Sequence, residues 1–598
     1  MNRSLARRER RGAVLVLIAL IISFMSVAGA LLMTGAMRAA HDLSEVERAR
    51  CEGEFLARAA LDAGQTALET ALFSGTEVPT TGEYEIADHV APYTIEELHA
   101  PEIEQAPEGY QRFFSVYGIE SAVEVDGARV VHRRIVRAHQ IPLFQYAVFY
   151  EGDLRIHPGP KMVLSGPVHT NGDLWVRSSD GLVFDTNYVH SAGDIHNWCI
   201  STSVHQIEYR KWVPDPWDPS YPEEYEGAER ESDFTSAGVP TGTGGFDSEF
   251  DGFDANGDGD WDDVGDYAPW ELRALELWGP ATGVTEEGHT VMDRSHGARP
   301  INHNGALQLE PFVETDGGDY DYDSGLDDYV AVPAGTGTYT KGALHGSADL
   351  VVTFDGTNWS VADSVGTDLT AAVSPALSKV DTFNGYADGG AGNDEPTLVI
   401  DVEALGKTGH FPENGLVYLR APGIGPDTDV ISFRLTNGSE LAGAISFASE
   451  APVYIRGDYN TVDKKPAAVM ADQVCVLSNA WDDSKDASSL PNATETTYNV
   501  SVYSGETAYD AVNGVEQNGG YHNVLRYHEN WSGITCHTLG STVIPLTSKY
   551  YPTRFAGGGH FYNPPNRDFA FDPDLISDPD NLPPFTPMGV EVVVVAAN

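Results

Sequence analysis

The stretch Asp254-Ala255-Asn256-Gly257-Asp258-Gly259-Asp260 sets oxygen donors at alternate positions, with glycine sixth and Asp262-Asp263 close behind. Hard oxygen ligands at positions 1, 3 and 5 and a glycine for the sharp turn form the first half of a calcium loop. The closing bidentate glutamate is missing, because position 12 is Gly265, and Asp263 or Asp266 would have to replace it. The candidate ligands are Asp254, Asn256, Asp258, Asp260 and Asp263, with Ca2+ as the expected cofactor. The competing reading is a solvated acidic loop. Extracellular modules hold calcium at about 10⁻⁴–10⁻³ M, so even a weak site would matter outside a cell. A second cluster, Asp316, Asp319, Asp321, Asp323, Asp327 and Asp328, lacks the loop spacing and reads as a solvated acidic segment.

Other chemistry-bearing residues point away from catalysis. No nucleophile elbow and no phosphate-binding loop is present. His528-Glu529 begins the zinc pattern HExxH, but position 532 is serine. His169 and His190 lie one repeat apart and suit a hydrogen-bonded ladder better than a metal site. Arg456-Gly457-Asp458 falls in a Gly-Asp turn pattern, which favours a structural role over adhesion. The expectation is a protein that is not an enzyme, with no catalytic residues.

The elements that would position these residues are mostly strands. Gly-Asp recurs at Gly152-Asp153, Gly172-Asp173 and Gly193-Asp194, at steps of 20 and 21 residues, followed by Leu154, Leu174 and Ile195. Val168-His169-Thr170-Asn171 aligns with Val189-His190-Ser191-Ala192. A fixed period marks stacked units sharing a core. It predicts a right-handed parallel β-helix, one coil per period; ordinary hairpins with Gly-Asp turns are the alternative. Gly457-Asp458 sits in a similar context, so the coils are expected to resume after an interruption from about 198 to 396. The interruption is rich in proline, glycine and aspartate (PDPWDPSYPEEY, GVPTGTGG). Upstream, Val123-Glu124-Val125 and Arg129-Val130-Val131 flank Asp126-Gly127, a hairpin-turn signal within a β-meander over 84–140. Val590 to Ala597 is too short to span a membrane and reads as a final strand.

The amino-terminal region is helical. Arg3, Arg7, Arg8, Arg10 and Arg11 precede Gly12 and the charge-free run from Ala13 to Met33. At about 1.5 Å per residue this run crosses the ~30 Å hydrocarbon core of a bilayer, with the arginines cytoplasmic. A secretory signal cut near Ala28 and Ala30 is the alternative. Against it, helical periodicity continues through Leu56, Ala60, Ala63, Ala67, Leu68 and Leu72, to a stop at Ser74-Gly75. One helix from Ala13 to Phe73 is expected, half in lipid and half packed on a globular part.

RRG-AVLVLIAL followed by GALLMTGAMRAAHDLSEVERARCEGEFLARAALDAGQTALE resembles the N-terminus of the type IV pilus assembly protein PilX family. Segments farther on resemble the distal part of large PilX-like proteins: RGDYNTVDKKPAAVMADQVCVLSNAW, LRYHENWSG, YNPPNRDFAFDPDL and LPPFTP. The resemblance implies a prepilin peptidase cut between Gly12 and Ala13, methylation of the new terminus, and a pilin-like head. Major pilins carry glutamate at the fifth position after the cut; here it is Leu17, as in PilX-type and some secretion-system minor pilins, which argues against a bulk filament subunit.

The formal net charge of −53 over 598 residues suits an exported body and repels nucleic acid and anionic lipid. Four cysteines, Cys51, Cys199, Cys475 and Cys536, do not make a disulfide scaffold. The expected fold is α+β and mainly β: a long transmembrane helix, a pilin-like antiparallel sheet, then a parallel β-helix-like body with a long acidic insertion. Its parts are a basic leader (1–12), the transmembrane and stem helix (13–73), the meander (84–140), first coils (141–197), the insertion (198–396), and resumed coils with a C-terminal β region (397–598). The expected function is a minor pilin or pseudopilin component of a type IV pilus or secretion filament. Its partners would be other pilins, inner-membrane assembly machinery, prepilin peptidase and the membrane, with no nucleic acid. It would sit single-pass in a bacterial inner membrane, N-terminus cytoplasmic and body periplasmic or extracellular. Alternatives are a cell-surface binding protein and, on fold analogy alone, an exported polysaccharide-active enzyme. Melting in millimolar calcium and in chelator checks the loop: a higher melting temperature with calcium is expected, and no such shift in Asp258→Ala.

Overall fold

The computed structural model describes residues 2–74 (side chains from 13), 78–86, 89–105, 111–156, 158, 162–172, 174–176, 182–186, 188–191, 195–197, 207–210, 230–231, 285–286, 289–290, 293–295, 302–303, 320–323, 328–331, 343–383, 395–422, 430–483, 490–506, 521, 524–548, 550–551 and 562–597. Its dominant helix, α1 (Asn2–Ser74), is 73 residues long and unbroken, about 110 Å at the standard rise. No proline interrupts it, and alanine and leucine recur throughout. The basic leader expected as a separate piece continues the same helix.

The second half of α1 lies on an antiparallel sheet of β1 (Thr81–Ile86), β2 (His89–Gln105), β3 (Gln111–Val125) and β4 (Ala128–Pro142). Asp126 and Gly127 both adopt left-handed backbone, φ 47° and 80°, closing the β3–β4 hairpin with Val125 opposite Ala128. Two left-handed residues match the right-handed twist of the strands they join. The last strand of the chain, Met588–Ala597, pairs antiparallel with β4, with Val592 opposite Ala138. Sequence patterning foresaw a strand there and could not foresee its partner.

After β4 the chain winds into short strands with parallel neighbours. Three strands make one circuit: β5 (Val148–Tyr150), β6 (Leu154–Ile156) and β7 (Met162–Ser165). The next circuit is β8 (Val168–Thr170), β9 (Leu174–Val176) and β10 (Leu182–Asp185); then come β11 (Tyr188–Ser191) and β12 (Ile195–Asn197). Apolar residues one period apart pair in register: Val148 with Val168 and Val189, Leu154 with Leu174 and Ile195, Met162 with Leu182. Val148, Val168, Val189, Leu154, Leu174, Met162 and Leu182 are all buried, so the 20-residue period is the distance at which apolar side chains meet again. Thr170 Oγ1 donates to Gly152 O, and Ser191 Oγ to Gly172 O at 2.7 Å, tying successive Gly-Asp turns together.

The later circuits run Leu350–Phe354, Leu416–Arg420, Ile445–Ser449, Ala467–Ala471, Ser501–Glu506 and Thr542–Thr547, each parallel to the next. The last of these pairs with β5, Thr542 opposite Val148. The first circuits in sequence therefore stack beyond the last ones, in one 11-stranded sheet. Ile207–Arg210 and Asp293–Ser295 extend the stack beyond β10 and β11, and from β11 to Leu350–Phe354, where the chain rejoins the stack at its other end, is eight strand spacings, roughly 40 Å. Residues 343–383, counted with the insertion in the sequence reading, belong to the stack. Trp359–Asp363 closes the far edge of the long sheet antiparallel to Leu350–Phe354, and Leu377–Phe383 does the same for Glu395–Asp401. The sequence reading placed this edge in the proline-, glycine- and aspartate-rich interruption; reversed strands of this kind blunt an otherwise open sheet.

Polar columns run between circuits as well. Asn563 Nδ2 donates to Asn530 Oδ1 at 2.8 Å, and Asn530 Nδ2 to Asn492 Oδ1 at 3.0 Å. Cys475 and Cys536 are buried free thiols, and burial pushes Cys536 up to about 12. At the closure, Tyr150 Oη donates to Glu506 Oε2 at 2.8 Å. Desolvation outweighs this bond and pushes the Glu506 carboxyl up to about 7. The folded state thus holds a proton that the unfolded chain releases near 4.5, so this group's stabilisation is complete below about 4.5 and fades as pH rises to about 7. Melting temperature measured from pH 4.5 to 8 should fall more steeply for wild type than for Glu506→Gln, which keeps the bond and cannot titrate.

Candidate functional site

The amino-terminal helix carries a long bare apolar surface. From Ala13 to Arg48 no side chain of α1 is buried. Leu15, Phe24, Leu31 and Leu32 are 67%, 76%, 69% and 75% exposed. An apolar surface of this extent is far beyond what a soluble protein leaves to water. Among the described residues this is the one helix long and apolar enough to cross a membrane.

Beyond Arg48 the same helix docks on the sheet. Ala49, Leu56, Ala57, Ala60, Leu61, Leu68 and Ala71 are buried, together with Gly53 and Gly64. They pack on Tyr93, Ile95, Tyr117, Ile119, Val123 and Val136. The two glycines set the approach. A Cβ on Gly53 would lie 2.9 Å from Val130 Cγ2, and one on Gly64 would lie 2.8 Å from Ile119 Cγ2 and 3.0 Å from the Tyr93 ring. Both separations are tighter than packed carbons tolerate. The apolar face expected from periodicity is the docked face: Leu56, Ala60 and Leu68 are buried, and Ala63, Ala67 and Leu72 pack at its edge.

Charged pairs rim this contact. Arg134 Nη2 donates to Asp62 Oδ1 and Nη1 to Gln65 Oε1, each at 2.7 Å. Arg48 Nη2 reaches Asp126 Oδ2 at the hairpin tip (3.1 Å), and His89 Nε2 reaches Glu52 Oε1 (3.0 Å). Exposed pairs contribute about 0–1 kcal/mol each, whereas each fully buried leucine contributes about 1.5–3 kcal/mol. The apolar seam therefore holds helix to sheet, and the ion pairs set its rotation.

The remaining candidate residues fall elsewhere. Gly12 and Ala13 lie within α1, and Ala13 is exposed. Asp254, Asn256, Asp258, Asp260 and Asp263, with Cys199, lie outside the described residues. Part of the second acidic cluster forms a hairpin, Asp323 opposite Asp328. His169 and His190 are paired in adjacent strands, and the His169 ring stacks on Phe149 at 5.6 Å. His528 is buried, and desolvation pushes its pKa down to about 3; Glu529 accepts from Ser478 N and Oγ at 2.6 Å. Asp458 accepts from Thr497 N and Arg456 Nη2 donates to Trp481 O, so the Arg-Gly-Asp tripeptide is built into neighbouring circuits. Asp568 accepts from His537 Nδ1 at 2.7 Å.

Sequence reasoning missed Ala49, Gly53, Ala57 and Gly64 as contact residues. Their signal was present as small residues at steps of four, four and, through Ala60, three and four, masked by glycine's reputation as a helix breaker. Gly64→Leu should destabilise the helix–sheet unit by about 1–3 kcal/mol or more through overpacking. Thermal melting of the full chain in detergent measures it, with Leu15→Ala, on the bare half, leaving the melt unchanged.

No family model and no curated protein matches the chain. Among solved structures it is similar to the competence-associated pilin ComZ from Thermus thermophilus, with 12% identity over 92% of this chain and 96% of that one. The TM-score is 0.27, too low to carry an argument about fold or function.

Proposed function

We propose that the chain is a non-catalytic, membrane-anchored component of a type IV pilus or related secretion filament, of the minor pilin or pseudopilin kind. The observation that carries this reading is the division of α1: one unbroken helix, bare and apolar at first, then buried under an antiparallel sheet. A bare apolar rod is stable in hydrocarbon, and equally stable among apolar helices of neighbouring subunits. The docked half joins that rod to a large head without a flexible joint.

In this reading prepilin peptidase removes residues 1–12 at the Gly12–Ala13 bond. The arginine-rich end faces the cytoplasm and the body stands outside it. The parallel circuits form a β-helix that displays surface at the end of the stem, and the acidic 254–263 loop holds calcium there. Leu17 at the fifth mature position suits a subunit used sparingly over one that builds the shaft.

Mass spectrometry of the mature amino-terminal peptide tests the assignment. A terminus at methylated Ala13 is expected; a terminus at Leu31, with the apolar rod removed, overturns it.

A further inference from the structure

The seam that docks α1 on its sheet does not stop at the sheet. Followed toward the membrane at steps of three or four, it runs from Gly64 through Ala60, Ala57, Gly53 and Ala49 to Val46, Leu43, Ala39 and Ala36. The first five of these are buried on the head. The last four are not: Val46 is 59% exposed and Leu43 61%. Leu43 lies ten residues past the end of the charge-free run at Met33, about 15 Å above the hydrocarbon edge. The seam is therefore closed by the head above, immersed in lipid below, and open between.

The open part has the form of a helix-pairing face. Ala36, Ala39, Leu43 and Val46 alternate at the 3–4 spacing of a heptad seam. Asp42 immediately precedes one seam residue and Glu47 immediately follows another, five positions apart. In a parallel pair of helices those two flanking positions face each other across the seam. Two copies of this chain would bring Asp42 against Glu47 twice. Neither carboxylate has an ion-pair partner among the described contacts, whereas neighbouring Arg48 and Arg50 are engaged by Asp126 and Glu54.

We infer that the open seam over Ala36–Val46 takes a parallel helix from a different subunit, one that carries lysine or arginine at both flanking positions, and that Asp42 and Glu47 exclude a second copy of this chain. The inference rests on the reading of α1 as an assembly stem and names the chemistry of the partner. A lipid surface is disfavoured by the same acidic flanks, which anionic headgroups would repel.

A charge swap on the full chain in neutral detergent micelles tests it, with energy transfer between labelled copies as the readout. The probe is the same chain carrying Asp42→Lys and Glu47→Lys. Wild type mixed with this probe should pair about tenfold more tightly than either chain pairs with itself, and the difference should vanish in about 1 M salt. Glu47→Lys alone should self-pair, since Asp42 then meets a lysine. Leu43→Asn with Val46→Asn should abolish pairing without changing the melting of the head. Wild type pairing with itself as tightly as with the probe overturns the inference in favour of a second copy; no pairing in any mixture overturns it in favour of lipid. A mature terminus at Ala13 with either of these results would leave the filament assignment standing and remove this inference alone.

Discussion

The pairing of Thr542–Thr547 with β5 is the constraint around which the body is arranged. It joins residues about four hundred positions apart and makes one stack from two separate runs of circuits. With that pairing made, the circuits after β5 extend in one direction and the circuits before Thr542 in the other. Of the stretch 198–342 between the two runs, Ile207–Arg210 and Asp293–Ser295 pair with β10 and β11. Length in that segment costs little, because loop-closure entropy grows only logarithmically with length.

The same closure brings the two ends of the body together at the antiparallel sheet. The chain leaves that sheet from β4 and returns to it as Met588–Ala597, hydrogen-bonded to β4 itself. Leu143 N donates to Pro587 O where the outgoing and returning chains pass. The body is thus attached through two adjacent strands, and α1 reads the position of the sheet that both strands build. A load applied to the head passes into the stem through a hydrogen-bonded sheet and a buried apolar seam.

Polar side chains of the body bond from one circuit to another. The Asn492–Asn530–Asn563 column runs along the partly exposed side of the circuits, while Glu529 is buried and accepts from Ser478, and His528 is buried against the Tyr454 ring. A buried carboxylate or imidazole suggests catalysis when seen in sequence. Here the geometry gives Glu529 a backbone and neighbouring-circuit role, through Ser478 N and Oγ.

Much of the local structure was legible in the residues alone. The long helix followed from an uninterrupted apolar and alanine-rich pattern, the β3–β4 hairpin from Asp126-Gly127, and the 20-residue period from Gly-Asp recurrence with Leu154, Leu174 and Ile195 behind it. These are short-range consequences of backbone conformational preference and side-chain period. What the tertiary structure alone decided was which strand lies beside which: Thr542 beside Val148, the last strand beside β4, and 343–383 as a cap and not a linker. Backbone hydrogen bonds between strands are the same for almost every residue type, so a strand's sequence proclaims that it will pair without naming its partner. The close approach at Gly53 and Gly64 was hidden for a related reason, since the absence of a side chain acquires meaning only when another surface arrives to use the space.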